Sequence, residues 1–174
     1  RDIIRVLRRR YPNAHLVIAP TRVQGDGSAA EIARALRLIG TVANDGVSYR
    51  PRLVQAIMDR TTGNLQEMPA VARGKAHAKP ETFRIIKEAL AAVVTEGTAT
   101  RAKSSIVTIG GKTGTAQVAA LGKEKRAEKD IPKKFRDHAW FVAFAPVEAP
   151  KIAVAVLAEH MGHGGSAVAP LAKE

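Results

Sequence analysis

A chain of 174 residues, 45% of them hydrophobic, is long enough for one domain with a sizeable core; with only 4% aromatic residues, that core must come from Ala, Val, Ile and Leu. The absence of cysteine excludes disulfides and thiolate metal sites, and no apolar run is long enough to span a bilayer or to form a signal peptide. A formal charge of +12 implies attraction to something anionic: nucleic acid, an anionic membrane surface or an acidic polymer.

The chain opens on Arg1-Asp2 without an initiator methionine, which reads as a fragment or a processed piece. Asp2 to Arg10 reads as a short basic helix ending in Arg8-Arg9-Arg10; a solvated helix end is the simpler reading, a polyanion contact the functional one. Pro12 ends it, and His15 to Ala19 reads as a short strand stopped by Pro20. After the turn Gly25-Asp26-Gly27, Ser28 and Glu31 form an S-x-x-E capping box. Ile32, Leu36, Ile39 and Ala43 then recur at helical spacing, and Gly46 stands where a C-terminal cap is expected. Pro51 begins a short extended piece, Arg52 to Met58, and residues 59 to 79 read as irregular. A second helix starts at Pro80, buries Phe83, Ile86, Leu90 and Val94, and ends at Gly97. Thr98 to Ser105 reads as a polar loop.

Lys112 to Val118 reads as a strand. By the two-residue period, Thr113, Thr115 and Gln117 fall on one side, and Lys112, Gly114 and Ala116 on the other. Two hydroxyls, a fixed cation and a glycine that lets a ligand backbone lie close suit an anionic, peptide-like ligand. Gly111-Lys112-Thr113 also looks like the end of a P-loop, but that pattern needs glycine at position 106, which is Ile106. Ser104 to Ile109 reads as extended and β-branched rather than as a phosphate cradle. A solvated edge strand with one lysine is the bland alternative.

Leu121 to Arg136 carries seven Lys or Arg and three acids, a solvated loop or else a flap beside the strand. Ala139 to Ala145 and Ile152 to Ala158 are apolar on both faces, so they need cover on both sides. The five residues Pro146 to Pro150 suit an antiparallel hairpin. Glycines 162, 164 and 165 give a turn, and Ser166 is expected to cap a final short helix. His138 reads as a structural hydrogen-bonding residue, and Glu159, His160 and His163 as a poor metal set, so no metal is expected.

Lys112-Thr113-Gly114-Thr115 resembles the third motif of penicillin-binding proteins and serine β-lactamases, whose set is S-x-x-K, S-x-N and K-T-G. Arg136 to Pro146 resembles the segment that follows this motif in class B penicillin-binding proteins, nearest to penicillin-binding protein 2 of the elongation type. Lys151 to Val156, Glu159-His160 and Gly162 to Ser166 continue the likeness, and upstream Ala43 to Gly46 with Arg50-Pro51 resembles the family's A-N-x-G…P segment. The likeness covers roughly residues 25 to 174; residues 1–24 match poorly.

The resemblance implies an α+β fold, an antiparallel sheet covered by helices on both faces, here incomplete, in one transpeptidase-like domain. It implies a peptidoglycan D,D-transpeptidase that transfers an acyl group from D-Ala-D-Ala stem peptides, without a cofactor. Lys112 and Thr115 are then the catalytic residues, and Thr113, Gly114 and Thr115 bind substrate. The implied partners are peptidoglycan stem peptides, β-lactam antibiotics and other cell-wall synthesis proteins. The implied location is the outer side of the bacterial cytoplasmic membrane, reached through an N-terminal anchor outside these residues. Ser28, Ser48, Ser104, Ser105 and Ser166 begin neither S-x-x-K nor S-x-N. The nucleophile is therefore expected upstream of Arg1, and the chain alone is expected to be inactive. A non-catalytic transpeptidase-like binding module is the alternative. A serine β-lactamase shares K-T-G but not the Asp137-to-Phe141 likeness. A basic nucleic-acid-binding domain lacks the known signatures and has few aromatics, so nucleic acid is not an expected partner.

Overall fold

The computed structural model describes residues 28–52, 54–118 and 131–172. The expected basic helix Asp2–Arg10, the strand His15–Ala19, the turn Gly25–Gly27 and most of the charged stretch Leu121–Arg136 lie outside the described residues.

Helix α1 spans Ser28–Ala43. Leu36, Ile39 and Ala43 are buried and Ile32 is half-buried, as their spacing requires. Fully burying a Leu or Ile side chain is worth about 1.5–3 kcal/mol, so this stripe is what seats the helix. The helix closes through Gly46, whose N–H donates to the Thr41 carbonyl at 2.8 Å, with Asp45 and Gly46 at positive φ (50° and 91°). A Cβ at Gly46 would lie 2.6 Å from the Phe83 ring, so the position needs glycine for space as well as for its backbone angle. Phe83 belongs to helix α2, Pro80–Thr95, with Pro80 at its start. Lys87 of α2 reaches Asp45 at 2.7 Å, a second tie between α2 and the turn that closes α1. The expected stripe of α2 is buried at Phe83 and Val94 and half-buried at Leu90, but Ile86 is exposed.

Residues 59–79, expected to be irregular, contribute two short strands to an arm. Strands β1 (Val47–Tyr49) and β4 (Ala72–Lys75) pair antiparallel, and β2 (Ala56–Met58) pairs with β3 (Leu65–Glu67) inside them. The result is an arm of two nested ladders. At its tip Asp59 accepts from the N–H groups of Thr61 (2.7 Å) and Thr62 (3.2 Å), which hold its carboxyl below the ordinary aspartate range. These strands are three or four residues long and mostly exposed, so no alternation of polar and apolar residues marks them.

Strands β5 (Gly110–Ala116), β6 (His138–Ala145) and β7 (Ile152–Ala158) form an antiparallel sheet in the order β5-β6-β7. The β6–β7 hairpin is the one read from the sequence. On one face, buried Ala139, Phe141 and Ala143 pack with Val94 of α2, Ala99, Ala102, Ile109, Val168 and Ala169. On the other, buried Phe144 and Ala153 pack with Leu36, Ile39 and Ala43 of α1. The fold is α+β, with helices on both faces of an antiparallel sheet. Ser104–Ile109, expected to be extended, bends at Ser105–Val107 and leaves Ile106 93% exposed. The final helix α3 is Gly164–Ala167, followed by a 3-10 turn at Ala169–Ala172. Ser166 lies inside α3 and does not cap it: its hydroxyl donates to the His163 carbonyl at 3.1 Å. Gly164 and Gly165, at the start of this helix, are pressed against β5, β6 and Thr98.

Candidate active-site strand

The register Thr113↔Phe141 and Thr115↔Ala139 sets both threonines on the face that carries Phe141, with Lys112 and Gly114 on the opposite one. That is the division expected from the two-residue period. Glycines make the close pairing possible. A Cβ at Gly111 would meet the Phe141 ring at 2.6 Å and the Val142 carbonyl oxygen at 2.9 Å, and one at Gly110 the Phe144 ring at 2.8 Å. Only one edge of β5 is bonded, to β6; among the described residues no strand covers the other. Lys112 lies mid-strand opposite Val142, and the strand runs on to Ala116 instead of turning into a helix at Thr113, so the P-loop reading fails on geometry as well as on sequence.

Lys112 and Thr115 are exposed, and Thr113 and Gly114 half-buried. The Lys112 ammonium donates to the Thr113 carbonyl at 2.7 Å. The Thr113 hydroxyl lies 2.8 Å from that of Thr98. Sequence reasoning placed Thr98 in a polar loop and gave it no role. The two threonines stand fifteen residues apart with no local periodicity between them, so only the fold brings them together. Gly97 permits it: a Cβ there would lie 2.8 Å from the Val93 backbone, so the chain can turn sharply off α2.

The glycine turn completes the surroundings. A Cβ at Gly164 would come within 2.2 Å of the Trp140 carbonyl oxygen and 2.7 Å of that of Gly114; one at Gly165 would come within 2.2 Å of the Thr98 carbonyl oxygen. Arg101 donates to the Ser166 carbonyl at 3.0 Å and fastens the same turn. The arrangement is an open strand edge with two same-facing hydroxyls, one of them oriented by a third, and an ammonium on the opposite side. It suits a carboxylate carried on an extended backbone. His138 and His160 are engaged in hydrogen bonds to each other and to Arg136. Among the described residues no group of three His, Cys, Asp or Glu could hold a metal ion, and no helix is long and apolar enough to cross a membrane.

Among the described residues, a sheet covered on both faces carries K-T-G-T on an open edge strand, and similarity to known proteins shows which class of protein this is. The model of the penicillin-binding protein transpeptidase domain matches residues 24–174, and the chain belongs to that family. The peptidoglycan D,D-transpeptidase MrdA of Acinetobacter baumannii is 34% identical over 151 residues, covering 86% of this chain and 22% of MrdA. The ceftriaxone acyl-enzyme complex of penicillin-binding protein A from M. tuberculosis matches with a TM-score of 0.63 at 29% identity, over 81% of this chain and 30% of that one. PBP2 from Helicobacter pylori, solved in complex with MreC, matches with a TM-score of 0.53 at 27% identity, over 78% of this chain and 22% of that one. The likeness to class B penicillin-binding proteins read from the sequence is borne out. The chain spans 22% of the length of MrdA and 30% of that of the M. tuberculosis protein.

Proposed function

We propose that these residues are the substrate-holding part of a peptidoglycan D,D-transpeptidase, and that β5 is the strand on which the D-Ala-D-Ala end of a stem peptide docks. The observation that carries this is K-T-G-T on a strand whose second edge is open among the described residues. The substrate adds as a further strand, with Gly114 letting its backbone come close. Its terminal carboxylate accepts from the hydroxyls of Thr113 and Thr115. A hydrogen bond to a charged group contributes about 1.5–3 kcal/mol. Thr98 orients the Thr113 hydroxyl. Lys112 supplies positive potential and takes part in proton transfer. The Lys112 ammonium meets the Thr113 carbonyl, which supports an outward-turned peptide there. The alternation of an antiparallel pair then turns the Thr115 N–H outward too, as one oxyanion-hole donor, worth about 2.7–4 kcal/mol in the transition state.

The nucleophilic serine and its lysine come from outside these 174 residues, since none of the five serines begins S-x-x-K. That same observation favours a second reading, a transpeptidase-like module that binds peptidoglycan without catalysis. β-Lactams act as mimics of the dipeptide, in keeping with the ceftriaxone acyl-enzyme of the M. tuberculosis relative. Other wall-synthesis proteins are the expected partners, as MreC is of the Helicobacter protein. The site works on the outer side of the cytoplasmic membrane.

The test is the rate at which a fluorescent penicillin acylates the native polypeptide that carries these residues. Thr113→Val keeps the side-chain shape and removes the hydroxyl. Acylation is expected to fall about ten- to hundredfold. An unchanged rate contradicts the proposal.

A further inference from the structure

His138, the first residue of β6, and His160, two residues beyond β7, take no part in the chemistry proposed above. Both are half-buried, and their rings meet edge to face with centroids 4.7 Å apart. His138 Nδ1 accepts the backbone N–H of His160 at 3.0 Å, so that nitrogen carries no proton. His160 Nδ1 faces the Arg136 carbonyl at 3.1 Å; a carbonyl can only accept, so this nitrogen does carry one. Beside them the Gly162 N–H donates to the Asp137 carbonyl at 2.9 Å. Three bonds therefore join residues 136–138 to residues 160–162. They hold His160 at φ 57°, a left-handed conformation uncommon outside glycine.

What they hold leads directly to the candidate site. Gly164 lies over the Gly114–Trp140 backbone pair, and a Cβ at Gly165 would lie 3.7 Å from the Thr113 side chain. His138 itself pairs with Ala116, next to Thr115 along β5. We propose that His138 is a positioning residue for the K-T-G-T strand, acting through His160 and the glycine turn 162–165, and that it does so only with Nδ1 unprotonated. The role rests on the reading of Thr113 and Gly114 as the substrate-holding strand. A proton on His138 Nδ1 sets a donor against the His160 N–H, breaks that bond and loosens the turn against β5, leaving the Arg136, Asp137 and Arg101 bonds in place. Lowering the pH supplies that proton, so acidification reads the device. The other ionisable groups on the elements that meet here are Arg136 and Asp137 before β6, Glu159 after β7, His163 in the turn and Lys112 on β5. The Asp137 carboxylate accepts from the Val118 N–H at 3.4 Å.

The experiment is a pH titration by NMR, from pH 8 to pH 5, of the 15N-labelled native polypeptide that carries these residues, with His138→Asn and His138→Ala beside it. Asparagine offers an Oδ1 acceptor near the place of Nδ1 and does not titrate. In the wild type, the amide signals of residues 162–165 and 113–115 are expected to move together, with the midpoint of the His138 ring. Exchange of the His160 amide is expected to rise about tenfold, the ratio set by losing a hydrogen bond worth about 1.4 kcal/mol. His138→Asn holds the high-pH signals throughout, and His138→Ala shows the low-pH signals at every pH. Signals at 113–115 that ignore the His138 titration, or that move equally in His138→Asn, overturn the proposal. If His138→Asn fails to fold, the wild-type ring nitrogens decide: a proton on His138 Nδ1 at pH 8 is equally fatal. No substrate enters the measurement, so failure of penicillin acylation would remove the strand's assigned role while leaving this coupling as measured.

Discussion

Two antiparallel regions of this molecule are built on opposite terms. Strands β5–β7 lie between helices, with Phe141 and Phe144 at 0% and 1% exposure. The arm β1–β4 has Ile57, Met58 and Leu65 more than half exposed. Backbone pairing and the Asp59 turn shape most of the arm, whereas packing fixes the sheet, and the strand read as functional belongs to the sheet. A site that must hold a carboxylate to within a fraction of an ångström belongs on the packed element.

The sharpest way to break this contrast is to truncate one large side chain in each region. Phe141→Ala is expected to cost about 3–5 kcal/mol in denaturant unfolding. Ile57→Ala is expected to stay within about 0.5 kcal/mol. Equal losses would mean that the arm is packed as well. A glycine pair gives opposite signs. Gly164→Ala forces a Cβ to 2.2 Å from the Trp140 carbonyl, where backbone must move, and is expected to lose about 1–3 kcal/mol. A Cβ at Gly74 in β4 meets nothing within 4 Å, so Gly74→Ala is expected to be neutral or to gain up to about 1 kcal/mol.

The same contrast decides what could be read in advance. Ala139–Ala145 and Ile152–Ala158 announce themselves because strands buried on both faces are apolar throughout. Helices α1 and α2 follow from the spacing of Leu36, Ile39 and Ala43, and of Phe83 and Val94. The arm escaped because residues such as Gln66 and Arg73 in exposed three- and four-residue strands carry no period. Lys112 to Thr115 was legible as a motif. Thr98 was not, because its hydroxyl reaches Thr113 only after α2 and the glycine turn are in place. Ser166 was misplaced because α3 begins two residues before it, at Gly164, where no side chain offers a capping signal.

The smallest effect sharpens the arm alone. Asp59 has its carboxyl held below the ordinary value of 3.8 by the Thr61 and Thr62 N–H groups. A depressed folded-state pKa adds stability that is present above that ordinary value and is lost as pH falls through the lowered one. An NMR titration should therefore find the Asp59 midpoint below 3.8 in the folded chain. Urea should return it toward the ordinary value. A folded midpoint at or above the ordinary value would remove the turn at the arm's tip.

The central claim is that residues 112–115 hold substrate for a serine supplied from elsewhere. Intact-mass measurement and peptide mapping of the native polypeptide, with and without benzylpenicillin, test it most directly. The account predicts one penicilloyl adduct, on a serine outside these 174 residues. An adduct on Ser28, Ser48, Ser104, Ser105 or Ser166, or no adduct at all, would contradict it.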